Sequence, residues 1–252
     1  MLRQLPNYFC GLSGIQLPIP KYQFPEPFQK SSRLTYYASL FNSIEINSSF
    51  YKIPKPSTIS RWVSEVPEDF TFTFKLFQGL THNSDRVIDK DVAIKFMHSI
   101  DHAEQKCGCI LIQFPPSYGV SNINEVNELL SILREISKEH PWRLAVEFRN
   151  TSWYKDDVFD MLKAQDTALV LQDMPRSASL FILTANNFVY VRFHGPTGNY
   201  RGSYPDNFLY EYATYIHEWL SDGKTVYTYF NNTAGDAFNN LQTLKRMLID
   251  HS

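Results

Sequence analysis

Polar and ionisable residues recur at one end of short apolar runs in this chain. Glu45 and Asn47 stand two apart, as do Glu147 and Arg149, while Tyr190, Arg192 and His194 form a triplet at the same spacing. In an extended chain residues two apart share a face, so each set points one way. Lys75, Gln113, Asp173 and Asn231 close other runs singly, and Ser13 closes the first. Glu147, Glu45, Asp173 and His194 are residue types that act as general acids and bases. Lys75, Arg149 and Arg192, with His82, offer positive charge to an anionic ligand. Gln113, Asn47, Tyr190, Asn231 and Asn232 add neutral donors and acceptors that would orient a substrate. Paired carboxylates with a histidine also suit a divalent cation, as in a metal-dependent isomerase or phosphodiesterase. The three cationic side chains oppose that, so a metal is not favoured and the cofactor stays open. The bland alternative is an ion-pair network in which Glu147 neutralises Arg192, or Glu45 neutralises Arg149.

A second pattern follows Arg192. The stretch HGPTGNYRGSYP (194–205) holds Gly195, Gly198 and Gly202, whose backbone N–H groups could approach a phosphate. A helix expected to begin near Asn232, Thr233 and Ala234 would add the positive end of its dipole. The same glycines also serve simple tight turns, and Asn232 or Thr233 an N-cap. His98 and His102, one helical turn apart and followed by Cys107 and Cys109, resemble zinc spacing, but they precede a strand and not its polar end. Ser13, between Gly11 and Gly14, lacks the G-x-S-x-G order of a nucleophile elbow.

Eight β-rich runs position these residues: Phe9–Ser13, Ser43–Asn47, Thr71–Lys75, Cys109–Gln113, Leu144–Arg149, Ala168–Asp173, Phe188–His194 and Thr225–Asn231. Between them lie stretches of helical periodicity over 92–106, 123–137, 158–165, 209–221 and 234–249. Strands alternating with helices predict parallel βαβ units, and eight units predict closure into a single (β/α)8 TIM-like barrel over residues 1–252. The span 173–188 is too short and Pro-interrupted for a full helix, so a degenerate unit and some distortion are expected between strands six and seven. Each run gains polarity at its carboxyl end. In a barrel those ends converge on one mouth, where barrel enzymes place their sites.

Composition is compatible with this. The chain has 252 residues, 43% hydrophobic and 20% charged, so it can bury a core without disulfides. A net charge of −2 makes nucleic acid an unlikely partner. Three cysteines, no apolar leader and no run long enough to span a membrane predict a cytoplasmic protein with no membrane partner.

The strand ends also carry recognisable words. FNSIEINSSFY (41–51), FTFTFKLFQGLTHN (70–83), CILIQFPPSY (109–118), LAVEFRNTSW (144–153), FVYVRFHGPTGNY (188–200) and VYTYFNNTAGDAFNNLQTL (226–244) resemble, in order, motifs of the DUF72 (YecE-like) family. The resemblance implies a TIM-like barrel of uncharacterised activity. The chain departs from the family in GLSGIQLPIPKYQF (11–24), which lacks the usual Trp, and in AFNN (237–240). Together these readings predict an enzyme acting on an anionic small molecule, phosphorylated or sugar-like, by acid/base chemistry at the barrel mouth. The alternatives are a metal-dependent isomerase or phosphodiesterase, and a non-catalytic ligand-binding or regulatory barrel.

Overall fold

The computed structural model describes residues 5–83, 85–137 and 142–250. In chain order the elements are β1 (Tyr8–Leu12), α1 (Arg33–Ala38), β2 (Ser43–Ile46), α2 (Ser48–Tyr51), α3 (Pro56–Ser64), β3 (Thr71–Lys75), α4 (Lys90–Ile100) and β4 (Cys107–Phe114). There follow α5 (Ile123–Ile136), β5 (Arg143–Phe148), α6 (Asp156–Ala164), β6 (Ala168–Leu169), β7 (Leu171–Gln172), β8 (Phe188–Phe193), α7 (Asp206–Ser221), β9 (Thr225–Phe230) and α8 (Ala237–Asp250). Local chemistry sets several boundaries. Ser32 caps α1 by accepting from the Thr35 N–H, and Asp89 caps α4 by accepting from Val92. Pro56 starts α3, where its missing N–H costs nothing. In α5 the stripe Val126, Leu129, Leu130 and Leu133 is buried against the strands.

Every strand pairing is parallel, but the expected single closed barrel is not what the ladders trace. The strands form a five-stranded sheet, β2-β3-β4-β5-β6, and a four-stranded sheet, β1-β9-β8-β7. The sixth run is divided: β6 pairs with β5, β7 pairs with β8, and the chain passes from one sheet to the other at Val170. On the far edge of β6 the hydroxyl of Thr184 takes the Leu169 N–H at 2.7 Å and donates to Thr167 O at 2.6 Å. A side chain thus stands where ladder bonds would run. As expected, the segment leading from β7 to β8 holds no helix.

The seam between β1 and β2 is built the same way. Asn42 accepts from Cys10 N at 2.9 Å and donates to Tyr8 O at 2.7 Å. Tyr37 accepts from Leu12 N at 2.7 Å and donates to Ser43 O at 3.0 Å. Backbone bonding resumes only at the polar end, with a Ser13–Glu45 bridge and Gly14 N donating to Glu45 O at 2.9 Å. Gly11 permits this approach, since a Cβ there would lie 2.0 Å from Ser43 O.

The core has two parts. The larger lies between strands and helices and includes Phe72, Phe74, Trp142, Phe148 and Trp153. A smaller cluster gathers Cys109, Leu111, Ala145, Val170, Tyr190, Tyr227 and Tyr229 from strands of both sheets. Among the described residues no helix is long and apolar enough to cross a membrane.

Candidate functional site

The two sheets face one another through charged side chains at their carboxyl ends. Arg192 on β8 reaches across to β2, where its Nε and Nη2 donate to Glu45, the latter at 2.8 Å. Its Nη1 donates to Glu147 Oε2 on β5 at 3.0 Å. Glu45 is fully buried and further fixed by Ser13 Oγ and Tyr190 OH, each donating at 2.6 Å. Burial alone would raise its carboxyl pKa, but Arg192 and these donors hold it below the usual range. Glu147, also fully buried, pairs through its other oxygen with Arg149. Burial opposes its charge too, yet Arg149 and Arg192 hold its pKa far below normal. Both glutamates are therefore ionised acceptors whose partners are guanidinium groups.

His194 lies just beyond β8, buried, with Nε2 facing Arg149 Nη2 at 2.9 Å and Arg192 Nη1 at 3.1 Å. Guanidinium groups only donate, so Nε2 must be the accepting nitrogen. The proton then sits on Nδ1, directed at Asp173 Oδ1 at 3.3 Å. Burial lowers the imidazole pKa, in agreement with a neutral ring. Asp173 also accepts the His194 backbone N–H at 2.8 Å, and Tyr204 OH donates to its other oxygen.

Beside this network stands Lys75, at the end of β3. Its Nζ donates to Gln113 Oε1 at 2.8 Å and lies 4.0 Å from the centre of the Phe50 ring. No carboxylate within 4.0 Å pairs with it among the described residues. Burial, then the charge of Arg192, bring its pKa down to about 8. Because Lys75 fixes the oxygen of the Gln113 amide, its NH2 group faces His82 Nε2, at 3.5 Å. His82 Nδ1 then donates to Thr81 Oγ1 at 2.8 Å. Partial burial and Lys75 bring the His82 pKa down to about 4, so this exposed ring is neutral at pH 7.

The predicted residues thus divide. Glu45, Glu147, Arg149, Asp173, Arg192 and His194 form one bonded cluster, and Lys75, Gln113 and His82 a second beside it. Tyr190 faces inward, its ring 5.3 Å from that of Tyr229, with its hydroxyl on Glu45. Asn47 is half-buried and its Oδ1 has no hydrogen-bond partner among the described residues. Asn231 is buried, with its backbone N–H on Phe193 O at 2.7 Å. Asn232 is fully buried, and its amide NH2 donates to Gly202 O and to Asn240 Oδ1, which ties it into the packing of the loop.

Of the two ion-pair alternatives read from the sequence, Glu147–Arg192 is present, whereas Glu45 pairs with Arg192 and not with Arg149. In the glycine loop, two of the three N–H groups expected to approach a phosphate have partners within the loop. The Gly195 N–H is taken by Tyr204 OH at 2.5 Å and that of Gly198 by Gly195 O at 2.8 Å. Helix α8 begins at Ala237, not near Ala234, because residues 233–236 form a turn bonded to that loop. Sequence reasoning missed Tyr204, Phe50 and the donor role of Ser13. Ser13 stood at a strand end and was visible there, while Tyr204 and Phe50 carry no spacing signal. Among the described residues no three or more His, Cys, Asp and Glu side chains are grouped to hold a metal ion. His98 and His102 meet edge to face at 5.5 Å and are not part of any such group among the described residues.

Residues 11–252 match the family described as "Protein of unknown function DUF72". The chain belongs to the DUF72 family. Within it, the chain is similar to UPF0759 protein YunF of Bacillus subtilis, 27% identical over 91% of each sequence. It is also similar to UPF0759 protein YecE of Escherichia coli, 26% identical over 42% of this chain and 39% of YecE. A DUF72 protein from Thermotoga maritima superposes with a TM-score of 0.72 at 27% identity, covering 96% of this chain and 98% of that one. One from Enterococcus faecalis gives 0.77 at 22% identity, covering 96% and 97%. The DUF72 words quoted above hold Glu45, Lys75, His82, Gln113, Glu147, Arg149, Arg192 and His194, so the bonded clusters lie within the motifs except for Asp173. The atypical segment 11–24 of this DUF72 member packs Ile15 and Leu17 on the core and buries Phe24 against Tyr36, leaving Tyr22 80% exposed.

Proposed function

We propose that the two sheets enclose one lumen, as in a (β/α)8 barrel of one domain over residues 1–252. At the strand ends an enzyme site binds a small anionic molecule and moves a proton on it. The observation that carries this reading is the state of the cations. Glu45 and Glu147 are both engaged by Arg192, and Glu147 also by Arg149. Lys75 has no carboxylate partner, and Arg149, whose side chain is 7% exposed, keeps a buried Nε with no acceptor among the described residues. A buried donor without an acceptor is costly unless a ligand supplies one. In this reading Lys75 and Arg149 bind the anion, Gln113 and Asn47 orient it, and Lys75 titrates near neutrality as a proton-transfer group should. The glutamates, held ionised, keep Arg149 and Arg192 in place. The closed lumen is supported by the bonds that cross between the sheets from Arg192 to Glu45 and Glu147, and from Tyr229 OH to Ser43 and Thr73 at 2.6 and 2.8 Å.

A thermal-shift titration tests the anion. Ligand at about 100 times Kd stabilises the native state by about 2.7 kcal/mol. Inorganic phosphate, pyruvate and dihydroxyacetone phosphate are to be titrated into the wild type, Lys75→Met and Arg149→Met. At least one should raise the wild-type melting temperature and lose that effect in both variants. Failure of every anion to stabilise the wild type rejects the reading. Binding with no change in the ligand, followed by NMR, would leave a ligand-binding barrel in place of an enzyme.

A further inference from the structure

We infer that Lys75 is a covalent capture site for a carbonyl compound bearing an anionic group, its Nζ forming an imine with the ligand beside Arg149. This deepens the proposed function and rests on it for the charge of the ligand.

The argument begins with what surrounds the amine. An ordinary surface lysine stays protonated because water solvates the ammonium group. Lys75 is half-buried, with the apolar ring of Phe50 on one side and the neutral amide of Gln113 on another. The charged groups that act on it are Arg192, Glu147, Glu45 and Arg149, of which both glutamates are already paired with guanidinium groups. With its pKa at about 8, roughly a tenth of Lys75 is the free amine at pH 7, against well under a thousandth for a lysine at about 10.4. A desolvated lysine next to other cations is how proteins prepare an amine nucleophile. Its backbone is held as well, since Ser49 Oγ donates to Lys75 O at 2.6 Å.

The chemistry balances with groups on hand. The Nζ lone pair attacks the carbonyl carbon, the N–C bond forms, and the C=O π pair moves to oxygen. One proton leaves nitrogen and one arrives on oxygen, giving a carbinolamine. The hydroxyl then leaves as water after protonation, and the nitrogen lone pair closes the C=N bond. The sum is amine plus carbonyl to imine plus water, with no oxidant or reductant. The protons are exchanged with water, to which the neutral His82 ring beside Gln113 is exposed. The unpartnered Nε of Arg149 would take the carboxylate or phosphate, fixing which carbonyl compounds fit. A protonated imine also acidifies the neighbouring C–H, which gives the proposed proton transfer a substrate position.

Borohydride trapping tests this on the intact protein. Wild type is incubated separately with pyruvate, dihydroxyacetone phosphate and the neutral ketone acetone, reduced with sodium borohydride, and read by intact mass and peptide mapping. A single adduct equal to the probe less one oxygen, on Lys75 and with pyruvate or dihydroxyacetone phosphate far ahead of acetone, is expected. Whichever anionic probe labels tells carboxylate from phosphate recognition. Lys75→Arg, which keeps the charge, should abolish the adduct, and mapping of the wild type decides the matter even if that variant folds poorly. Labelling spread over surface lysines, or no label, overturns the inference. If phosphate or pyruvate still stabilises the protein in that case, the anion site stands and only the imine fails. Without stabilisation both fail.

Discussion

Two guanidinium groups donate to one nitrogen of His194, so protonating that ring would set a cation against Arg149 and Arg192. The native state therefore resists the proton that the unfolded chain accepts below about pH 6.5. The folded pKa is depressed, so the unfolded state binds more protons as pH falls, and stability drops with it. We expect the melting temperature to decline from about pH 7 to pH 5 in the wild type and to decline less in His194→Asn, followed by circular dichroism. Equal slopes would mean that other groups dominate that window. At this scale much was legible: residues two apart at strand ends marked Glu147, Arg149, Arg192 and His194 as one constellation. Who pairs with whom was legible only in part, since Glu147–Arg192 was read and is present. Glu45 meets Arg192, not Arg149, because partners across a lumen depend on which strands stand opposite, and spacing along one strand is blind to that.

Where the two sheets meet, single side chains replace backbone ladders, and the β1–β2 seam can be tested through Tyr37. Its hydroxyl is the acceptor for Leu12 N and a donor to Ser43 O, all buried. Tyr37→Phe leaves the Leu12 N–H without an acceptor, at a cost of about 1–3 kcal/mol. Urea denaturation should show that loss, and hydrogen exchange should show the Leu12 amide losing protection ahead of the β3–β4 amides. Undiminished protection at Leu12 would mean that another group takes its N–H. Periodicity located all the strands and the longer helices, since apolar spacing reports burial directly. It did not locate α1, α2 and α3, which are short, nor the late start of α8. There the turn is set by bonds to a distant loop, such as Asp236 N to Gly202 O at 3.1 Å. The seams were illegible for the same reason, because Tyr37, Asn42 and Thr184 leave no repeating mark.

For the molecule as a whole, Arg192 is the strut between the sheets, bonded from β8 to β2 and β5. Removing one partner of a buried ion pair costs about 3–5 kcal/mol, because the remaining charge is stranded. Arg192→Met strands Glu45 and leaves Glu147 with Arg149 alone, so it should lower the urea midpoint by about that equivalent. A double variant, Arg192→Met with Glu45→Gln, should recover part of it. If the single variant is as stable as the wild type, the sheets are held together without this strut. The parallel α/β class was legible from alternating periods, whereas the division into two sheets was not. That division has a bearing on how the chain is made. Strands β2 to β6 emerge from the ribosome consecutively, each beside its ladder partner. β1 comes out before all of them, yet its partner is β9, with Tyr8 set against Val226. Of the described strands β1 is thus made before the others and paired among the last, and until β9 has been translated only its opposite edge is engaged, by the side chains of Tyr37 and Asn42.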